Sequence, residues 1–171
     1  MLLNLDTIPP FYKNYVKLIE ETDLLQALRI SGHRCQELLH SIPQDKQDFK
    51  YAEEKWTIRE LICHLIDSER IFSFRALWFA RNDKTPLPGF DENQFAMQTN
   101  ADGRDLRSLV NEVAHLRTTT IDLFSGFSAD MLSRKGTANK VELSVASLGF
   151  IIAGHEMHHN RIIKERYISA W

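Results

Sequence analysis

The residues best suited to chemistry lie near the end of the chain, in the stretch GHEMHHNRII at positions 154–163. His155, Glu156 and His159 spell H-E-x-x-H, the pattern with which zinc metalloproteases hold their metal. In those enzymes the two histidines bind zinc from one helix and the glutamate acts as a general base. The pattern has two explanations, a protease site or a histidine pair that serves a metal for another purpose.

A protease of this kind needs a third protein ligand, which normally follows the motif. The metzincin continuation H-x-x-G-x-x-H is missing from HNRIIKERYISAW, and Glu165 supplies the only carboxylate after His159. Glu165 would lie on the same helix, about 600° around from His159 and therefore on a different face. No sheet is predicted that could hold an extended peptide. The protease interpretation fails on the third ligand.

The histidine pair itself remains a candidate for metal binding. Side chains four residues apart lie one above the other on a helix. His155 and His159 continue an apolar stripe that begins at Leu148, so we expect them to point into the protein interior. His158 is turned by about 100° and is expected to face outward or sideways. Spacing alone leaves two options open, a metal pair or a hydrogen-bonded core pair.

A candidate third ligand, His64, lies upstream in the stretch ELICHLIDSER. It comes near the start of a predicted helix with a strong N-terminal signal, a capping box of Thr57 at N-cap and Glu60 at N3. If that helix runs antiparallel or diagonal to the last one, His64 can meet the pair across a bundle. A lone histidine on an apolar face can also be a hydrogen-bonded core residue.

Other residues near His64 have weaker functional interpretations. Cys63 diverges from His64 by about 100° around the helix, which favours a buried structural thiol. Arg75 could hold an anionic substrate group, although an exposed or salt-bridged arginine is the more common case. Four acidic residues are within helical reach of the histidines and could fix their tautomers: Glu60, Asp67, Glu69 and Glu156. Glu156 can equally be a surface residue that makes the protease match accidental.

Four long amphipathic stretches are predicted to position these residues. They begin at Thr22 or Asp23, at Thr57, at Asp105 and near Ser144; Pro43 ends the first and Gly126 the third. Between the second and third helices lies a loop of about twenty residues, NDKTPLPGFDENQFAMQTNADG, which is either a lid or a simple cover. The segment KVELSV alternates like a strand but is short and lacks a partner. The sequence therefore predicts an all-α four-helix bundle with a long loop between the second and third helices.

The composition bounds the class of protein. The chain has 171 residues, 43% of them hydrophobic, which predicts one domain over residues 1–171 with a core at about 20–167. A formal net charge of −2 offers no basic field for nucleic acid. No run of 18 apolar residues predicts a membrane span. With two cysteines, Cys35 and Cys63, and no signal-peptide pattern, we expect a cytoplasmic protein.

Three segments together, KWTIRELICHLIDSE, LPGFDENQFA and GHEMHHNRII, resemble the DinB-like superfamily of four-helix-bundle metal-dependent proteins. The family pattern W-[ST]-x-x-E/Q-x-x-x-H is matched by Trp56, Thr57, Glu60 and His64, and H-x-x-x-H by His155 and His159. The resemblance covers about residues 20–167. It implies that His64, His155 and His159 coordinate a divalent metal, usually zinc or nickel, and that the protein is a homodimer.

A site of three neutral imidazoles leaves coordination positions open, which is typical of catalytic zinc and also suits nickel. Some members of the superfamily are S-transferases or isomerases that use bacillithiol or mycothiol. The resemblance thus implies a thiol S-transferase acting on a small-molecule substrate with a low-molecular-weight thiol. The alternatives are a metal-dependent hydrolase and a non-catalytic, metal-stabilised dimeric stress-response protein. The sequence identifies no catalytic side chain.

Overall fold

The computed structural model describes residues 2–171 of the chain. The α-helices of this region are α1 (Pro10–Val16), α2 (Leu24–His40), α3 (Ile58–Ala80), α4 (Glu92–Met97), α5 (Leu106–Ser125), α6 (Ala129–Ser133) and α7 (Val145–Ile162). The strands are β1 (Lys135–Ala138) and β2 (Val141–Ser144). Turns of 3-10 helix occupy Leu5–Thr7, Gln44–Lys46, Ala101–Gly103 and Ile168–Ala170, and α7 continues into a π-helical turn at Ile163–Tyr167.

The four long helices α2, α3, α5 and α7 form the predicted four-helix bundle. Both α7 and α5 pack against α2 and α3, so α2 and α3 occupy opposite corners although they are consecutive in the chain. The Tyr167 hydroxyl donates to the Trp56 carbonyl at 2.7 Å, which joins the segment after α7 to the start of α3. The two helices that carry the histidines are therefore antiparallel neighbours.

The long helices begin where their capping residues predict. The Thr57 backbone N–H donates to Glu60 Oε2 at 2.7 Å, and the Glu60 N–H donates to Thr57 Oγ1 at 3.1 Å, which completes the capping box. Asp23 caps α2 and Ser144 caps α7 with side-chain oxygens, and Gly126 follows the end of α5. These side chains satisfy backbone N–H groups that have no partner inside the helix, so the helix starts are encoded locally.

The expectation that KVELSV lacks a strand partner is wrong. Strand β2 pairs antiparallel with β1, which comes directly before it. The turn between them consists of Asn139 and Lys140, whose φ angles are 50° and 63°. Two consecutive positive φ angles are typical of the type I′ turn that suits tight hairpins. The partner strand, KGTA, is too short and too weakly patterned to be recognised alone.

The long loop after α3 is attached to this hairpin and contains α4. The Leu87 N–H donates to the Thr137 carbonyl at 2.9 Å, and the Asn139 N–H donates to the Leu87 carbonyl at 3.0 Å. Further along, the Asp91 side chain caps α4. The first part of the loop is anchored by backbone hydrogen bonds, which favours a fixed cover over a freely moving lid at that point.

Helix α1 lies outside the predicted core, yet it packs directly on α7. A Cβ at Gly154 would lie 2.6 Å from the Tyr15 carbonyl oxygen, closer than side-chain carbons approach other atoms. Glycine at this position allows the two helices to come together. The contact brings Tyr15 beside the histidines of α7.

The apolar core is divided into two clusters by a layer of polar side chains. One cluster contains Leu28, Phe79 and Phe124, and the other contains Leu61 and Leu109. Along every bundle helix, the residues between the two clusters include buried polar side chains: Ser31 on α2, Ser68 and Glu69 on α3, Arg117 on α5, and His155, Glu156, His159 and Asn160 on α7. We call these residues and His64 the polar layer.

None of the helices within residues 2–171 combines the length and apolar character that crossing a bilayer demands.

Candidate metal centre

The three histidines selected from the sequence converge in the polar layer. His64 comes from α3, and His155 and His159 come from successive turns of α7. The Nε2 atom of His155 lies 3.1 Å from Nε2 of His64 and 3.1 Å from Nε2 of His159. One nitrogen from each ring belongs to a group within 4.8 Å, and all three residues are buried. We call this group the histidine cluster.

The donor set of the histidine cluster fits a divalent metal better than it fits hydrogen bonding. A neutral ring nitrogen is either a donor or an acceptor, so Nε2 of His155 can form only one well-aligned hydrogen bond. It has two nitrogen neighbours at the same distance, and one of those contacts is left without a bridging proton. Two zinc–nitrogen bonds of about 2.0–2.1 Å at a tetrahedral angle would separate the nitrogens by about 3.3 Å. The observed spacing is close to that value.

The environment keeps the three rings neutral. Burial lowers the pKa of His64 to about 4. Burial also lowers the pKa of His155 and His159 well below the usual value, and the neighbouring histidines add to the effect. The neutral imidazole is the form that binds a metal. Lone pairs are therefore available at neutral pH.

Aromatic side chains surround the histidine cluster and restrict its rings. The Trp56 ring centroid lies 4.7 Å from that of His64. Tyr15 and Phe72 present edges to His155, with centroid separations of 5.6 and 6.1 Å. Trp56 thus does more than precede the helix cap, because it packs on a ring of the candidate site.

A cleft of about 210 Å³ lies beside the histidine cluster. Its walls include Tyr15 from α1, Ser68 and Arg75 from α3, Phe90 from the long loop, and His158 from α7. This volume suits a small molecule and not an extended peptide. All three residues of the histidine cluster line this cleft.

The comparison with known proteins identifies the family. A family model described as the DinB superfamily matches residues 27–163. The chain belongs to the DinB superfamily. The resemblance inferred from the three sequence segments is confirmed.

One curated protein and two solved structures are similar to this DinB-superfamily chain. A protein of Oceanobacillus iheyensis named "Putative metal-dependent hydrolase OB0413" is 25% identical over 142 residues, which cover 82% of this chain and 81% of the relative. The structure of YfiT from Bacillus subtilis, described as "a probable metal-dependent hydrolase with an unusual four-helix bundle topology", matches with a TM-score of 0.75 at 17% identity, over 85% of each chain. The mycothiol-dependent maleylpyruvate isomerase matches with a TM-score of 0.67 at 16% identity, over 94% of this chain and 62% of the isomerase. At 17% and 16% identity, these two solved structures show that they share a fold with this chain.

The acidic residues that were candidate partners of the histidines have other roles in this DinB-superfamily protein. Glu60 closes the capping box, and Asp67 lines a separate surface groove. Glu69 and Glu156 both bind Arg117. In the region that the structure describes, none of the four hydrogen-bonds to a ring of the histidine cluster. The alternative that Glu156 is a surface residue is wrong, because only 3% of it is exposed.

Arg117 organises a second buried polar group, which the sequence analysis missed. Its guanidinium donates to both carboxylate oxygens of Glu69 at 2.9 Å and to Glu156 Oε2 at 2.7 Å. It also donates to the Leu28 carbonyl and to Ser31 Oγ, both at 2.9 Å. We call Arg117, Glu69, Glu156 and Ser31 the Arg117 cluster. Burial alone would lower the pKa of Arg117, but the two carboxylates outweigh it and raise the pKa.

A sequence signal for the Arg117 cluster does exist. Arg117 lies on the apolar stripe of α5, four residues after Val113 and seven before Phe124, where a surface arginine would not fall. Space for its side chain comes from Gly32, where a Cβ would lie 2.8 Å from Arg117 Cγ. Because Glu156 is committed to Arg117, it is not placed to act as the general base of a protease.

The structure also shows the surroundings of the remaining candidate residues, Cys63, His158 and Arg75. Cys63 is buried, burial raises its pKa, and it lines a groove that the histidine cluster does not share, consistent with a structural thiol. His158 is half-buried and lies sideways against Tyr15, with ring centroids 4.9 Å apart. Contrary to the more common case, Arg75 is only 3% exposed and lines the cleft, and no carboxylate within residues 2–171 forms a salt bridge with it.

Proposed function

We propose that this chain is a metal-dependent enzyme that holds one divalent first-row cation, zinc or nickel, through His64, His155 and His159. The observation that carries the proposal is the convergence of three neutral ring nitrogens beside a cleft. Three protein ligands leave at least one coordination position open, as in catalytic zinc sites. The name of the Oceanobacillus relative, a metal-dependent hydrolase, supports the same class of activity.

We further propose that the reaction is transfer of a low-molecular-weight thiol to a small electrophile, in which a carbon–sulfur bond forms while the thiol loses its proton and the electrophile loses its leaving group. A divalent cation held there would lower the pKa of a thiol or a water and so supply the reactive anion at neutral pH. The chain's own contribution is to keep the rings neutral, to exclude bulk water with Trp56, Tyr15 and Phe72, and to admit only small molecules. The common fold with a mycothiol-dependent isomerase supports the choice of a thiol.

Hydrolysis of a small ester or amide is the second candidate. It is favoured by the hydrolase name of the relative with 25% identity. Both reactions would use the same open position, and they differ in whether a thiol or a water is the nucleophile.

Elemental analysis and an activity panel test these proposals. We expect the purified protein to contain about one equivalent of metal, and His159→Ala to remove it. The panel pairs bacillithiol, mycothiol, glutathione and cysteine with chlorodinitrobenzene, and adds nitrophenyl esters without thiol for the hydrolase. His158→Ala is the matched control for metal content, because its ring is adjacent in sequence but outside the histidine cluster.

The outcomes separate the candidates. Thiol-dependent turnover that His159→Ala abolishes supports the S-transferase, and ester turnover without thiol supports the hydrolase. Stoichiometric metal with no turnover across the panel supports the non-catalytic, metal-stabilised alternative. A protein without metal, whose turnover is unchanged in His159→Ala, contradicts the proposal as a whole.

Assembly as a homodimer and a cytoplasmic location are also proposals. The first follows the superfamily resemblance and is tested by light scattering, which should give twice the mass of the chain. The second is supported by Cys35 and Cys63, both free thiols, and is tested by cell fractionation.

A further inference from the structure

The cleft beside the histidine cluster also contains a buried arginine. Arg75 lies on α3, eleven residues after His64, and lines the same cleft. At a rise of about 1.5 Å per residue the two Cα atoms are roughly 16 Å apart along the helix, and a long side chain that leans toward the N-terminus shortens the gap. Because the three histidines and Arg75 line one cleft of about 210 Å³, a small molecule that fills the cleft can contact both ends.

The charge of Arg75 is not neutralised by the protein around it. Its Nη2 donates to the Pro88 carbonyl at 2.8 Å, and the guanidinium interacts with the Tyr12 hydroxyl. The rings of Phe72 and Phe90 lie 5.8 and 5.9 Å from its Cζ. Among the described residues, no carboxylate oxygen lies within 4.0 Å of its nitrogens. A guanidinium stays protonated even when buried, and such a charge is costly to bury unless an anion accompanies it.

The carboxylate at the edge of the cleft does not fill this role. Glu92 lines the cleft but is exposed, and it lies beyond 4.0 Å from the Arg75 guanidinium. Burial raises the pKa of the Tyr12 and Tyr15 phenols; the Glu92 charge acts in the same direction on both, whereas Arg75 lowers the pKa of Tyr12. Arg75 thus remains the positive group inside the cleft.

Ser68 supplies an independent observation that points to a ligand. Its Oγ is buried without a hydrogen-bond partner within the described region, and the residue is only 1% exposed. Ser68 lines the cleft, four residues after His64 and seven before Arg75, on the same face of α3. A buried hydroxyl without a partner is unfavourable, and a polar atom of a molecule in the cleft would satisfy it.

We propose that Arg75 binds the carboxylate of the substrate, which is a small organic acid whose reacting end lies at the histidine cluster. The guanidinium donates charge-assisted hydrogen bonds to the carboxylate, and the Ser68 hydroxyl bonds a polar atom near the middle of the molecule. This assignment rests on the metal-dependent function proposed above and adds the class of substrate. Arg75 is a substrate-binding residue and takes no part in bond breaking.

A chain-length series of bifunctional probes tests the proposal on the metal-loaded protein. Mercaptopropionate, mercaptobutyrate and mercaptohexanoate are compared by calorimetry with the mercaptoalcohols of equal length. The thiol end is common to each pair, so the difference in affinity reports the carboxylate alone. At the matching length we expect the acid to bind about ten-fold more tightly than the alcohol.

Variants of α3 assign that difference to individual side chains. Arg75→Gln should abolish the preference for the acid while the alcohol binds within about three-fold of its original affinity, because one charged contact is lost. Arg75→Lys should retain part of the preference, and Ser68→Ala should weaken both probes by a few-fold, about one neutral hydrogen bond. Arg81→Gln, an exposed arginine at the end of the same helix, is the matched control and should change nothing. Thermal unfolding checks that each variant is folded.

A second measurement separates this proposal from the metal site. Hexanoate and hexanamide are titrated into the metal-free protein and followed by NMR, which requires no bound cation. Binding of hexanoate that Arg75→Gln removes supports the carboxylate site even if the metal proposal fails. Equal affinities for acids and alcohols at every length, or a preference for acids that survives in Arg75→Gln, would overturn it.

Discussion

The histidine cluster and the Arg117 cluster lie in the same polar layer and share α7, yet they compensate burial in different ways. In the Arg117 cluster one guanidinium lies within hydrogen-bond distance of five acceptors, three of them carboxylate oxygens of Glu69 and Glu156. In the histidine cluster three neutral rings meet at 3.1 Å contacts and have no opposite charge among them. His155 and Glu156 are adjacent in sequence and belong to different clusters.

The difference between the two clusters shows how a buried polar group that stabilises the fold can be distinguished from one that binds a ligand. A cluster whose donors and acceptors match inside the protein contributes to the fold, because breaking it leaves uncompensated charge. A cluster in which several lone pairs converge, and for which the protein supplies no partner, is completed by a bound ion or ligand. The same test separates two of the buried arginines, since Arg117 is ion-paired with two carboxylates, whereas within residues 2–171 no carboxylate pairs with Arg75.

The largest expected effect comes from breaking the Arg117 cluster. Arg117→Met leaves the Glu69 and Glu156 carboxylates buried without their cation, and should lower the free energy of unfolding by about 3–5 kcal/mol. Chemical denaturation measures the loss. Arg107→Met, at an exposed arginine of the same helix, is the control and should change stability by less than about 0.5 kcal/mol. A loss for Arg117→Met no larger than the control's would contradict the role of the cluster.

Metal binding at the histidine cluster should raise the free energy of unfolding by about as much as Arg117→Met lowers it. This stabilisation requires a bound ion, whereas that of the Arg117 cluster comes from the protein alone. At a free metal concentration about a thousand times Kd, binding raises the free energy of unfolding by about 4 kcal/mol. His159→Ala should lose this gain while changing the metal-free protein by only about 1–2 kcal/mol. Unfolding with and without a chelator measures both numbers. Equal stabilisation of wild type and variant by metal would place the ion elsewhere.

The metal-free protein should lose stability as the pH falls from 6.5 toward 4. Unfolded His64 binds a proton below about 6.5, whereas folding lowers its pKa to about 4. Within that window the unfolded state binds more protons, so acid favours unfolding with a slope of about 1.4 kcal/mol per pH unit for each such histidine. Denaturation at several pH values measures it, and His64→Asn should have a shallower slope than wild type.

The Arg117 cluster should have the opposite effect on stability: as the pH falls over the same range, its contribution to the stability of the folded state should rise. Burial raises the pKa of Glu156, and the Arg117 charge offsets part of this effect. A carboxyl with a raised pKa in the folded state contributes stability that is lost as pH rises through that pKa. The difference between wild type and His64→Asn isolates the histidine contribution from this background.

The smallest effect is expected from Ser31→Ala, which removes a neutral partner of Arg117. Because the two carboxylates and the Leu28 carbonyl still accept from the guanidinium, the loss should be about 1 kcal/mol. Thermal unfolding is sensitive enough to detect it. A loss as large as that of Arg117→Met would mean that the hydroxyl, and not the charges, holds the cluster together.

Much of the bundle was predictable because its signals are local. The Thr57–Glu60 box, the Ser144 cap and the glycine after α5 mark helix ends through contacts within one turn. The hairpin was not predicted because its turn has Lys140 where glycine is usual and because its strands are only four residues each. Helix α1 was not predicted because its position depends on packing against Gly154, a contact that no local sequence pattern reveals.

By itself the sequence determined the four-helix class and the starts of the long helices, since capping and helical periodicity depend on neighbours in the chain. The set of His64, His155 and His159 followed from the resemblance of the two histidine motifs to the DinB-like superfamily. Only the tertiary structure decided that His64 meets the pair from an adjacent antiparallel helix, that Glu156 belongs to Arg117, and that Arg75 is buried beside the candidate metal site. The reason is physical. A side chain's partner across the bundle depends on how helices separated by dozens of residues pack, and periodicity fixes only the face on which it lies.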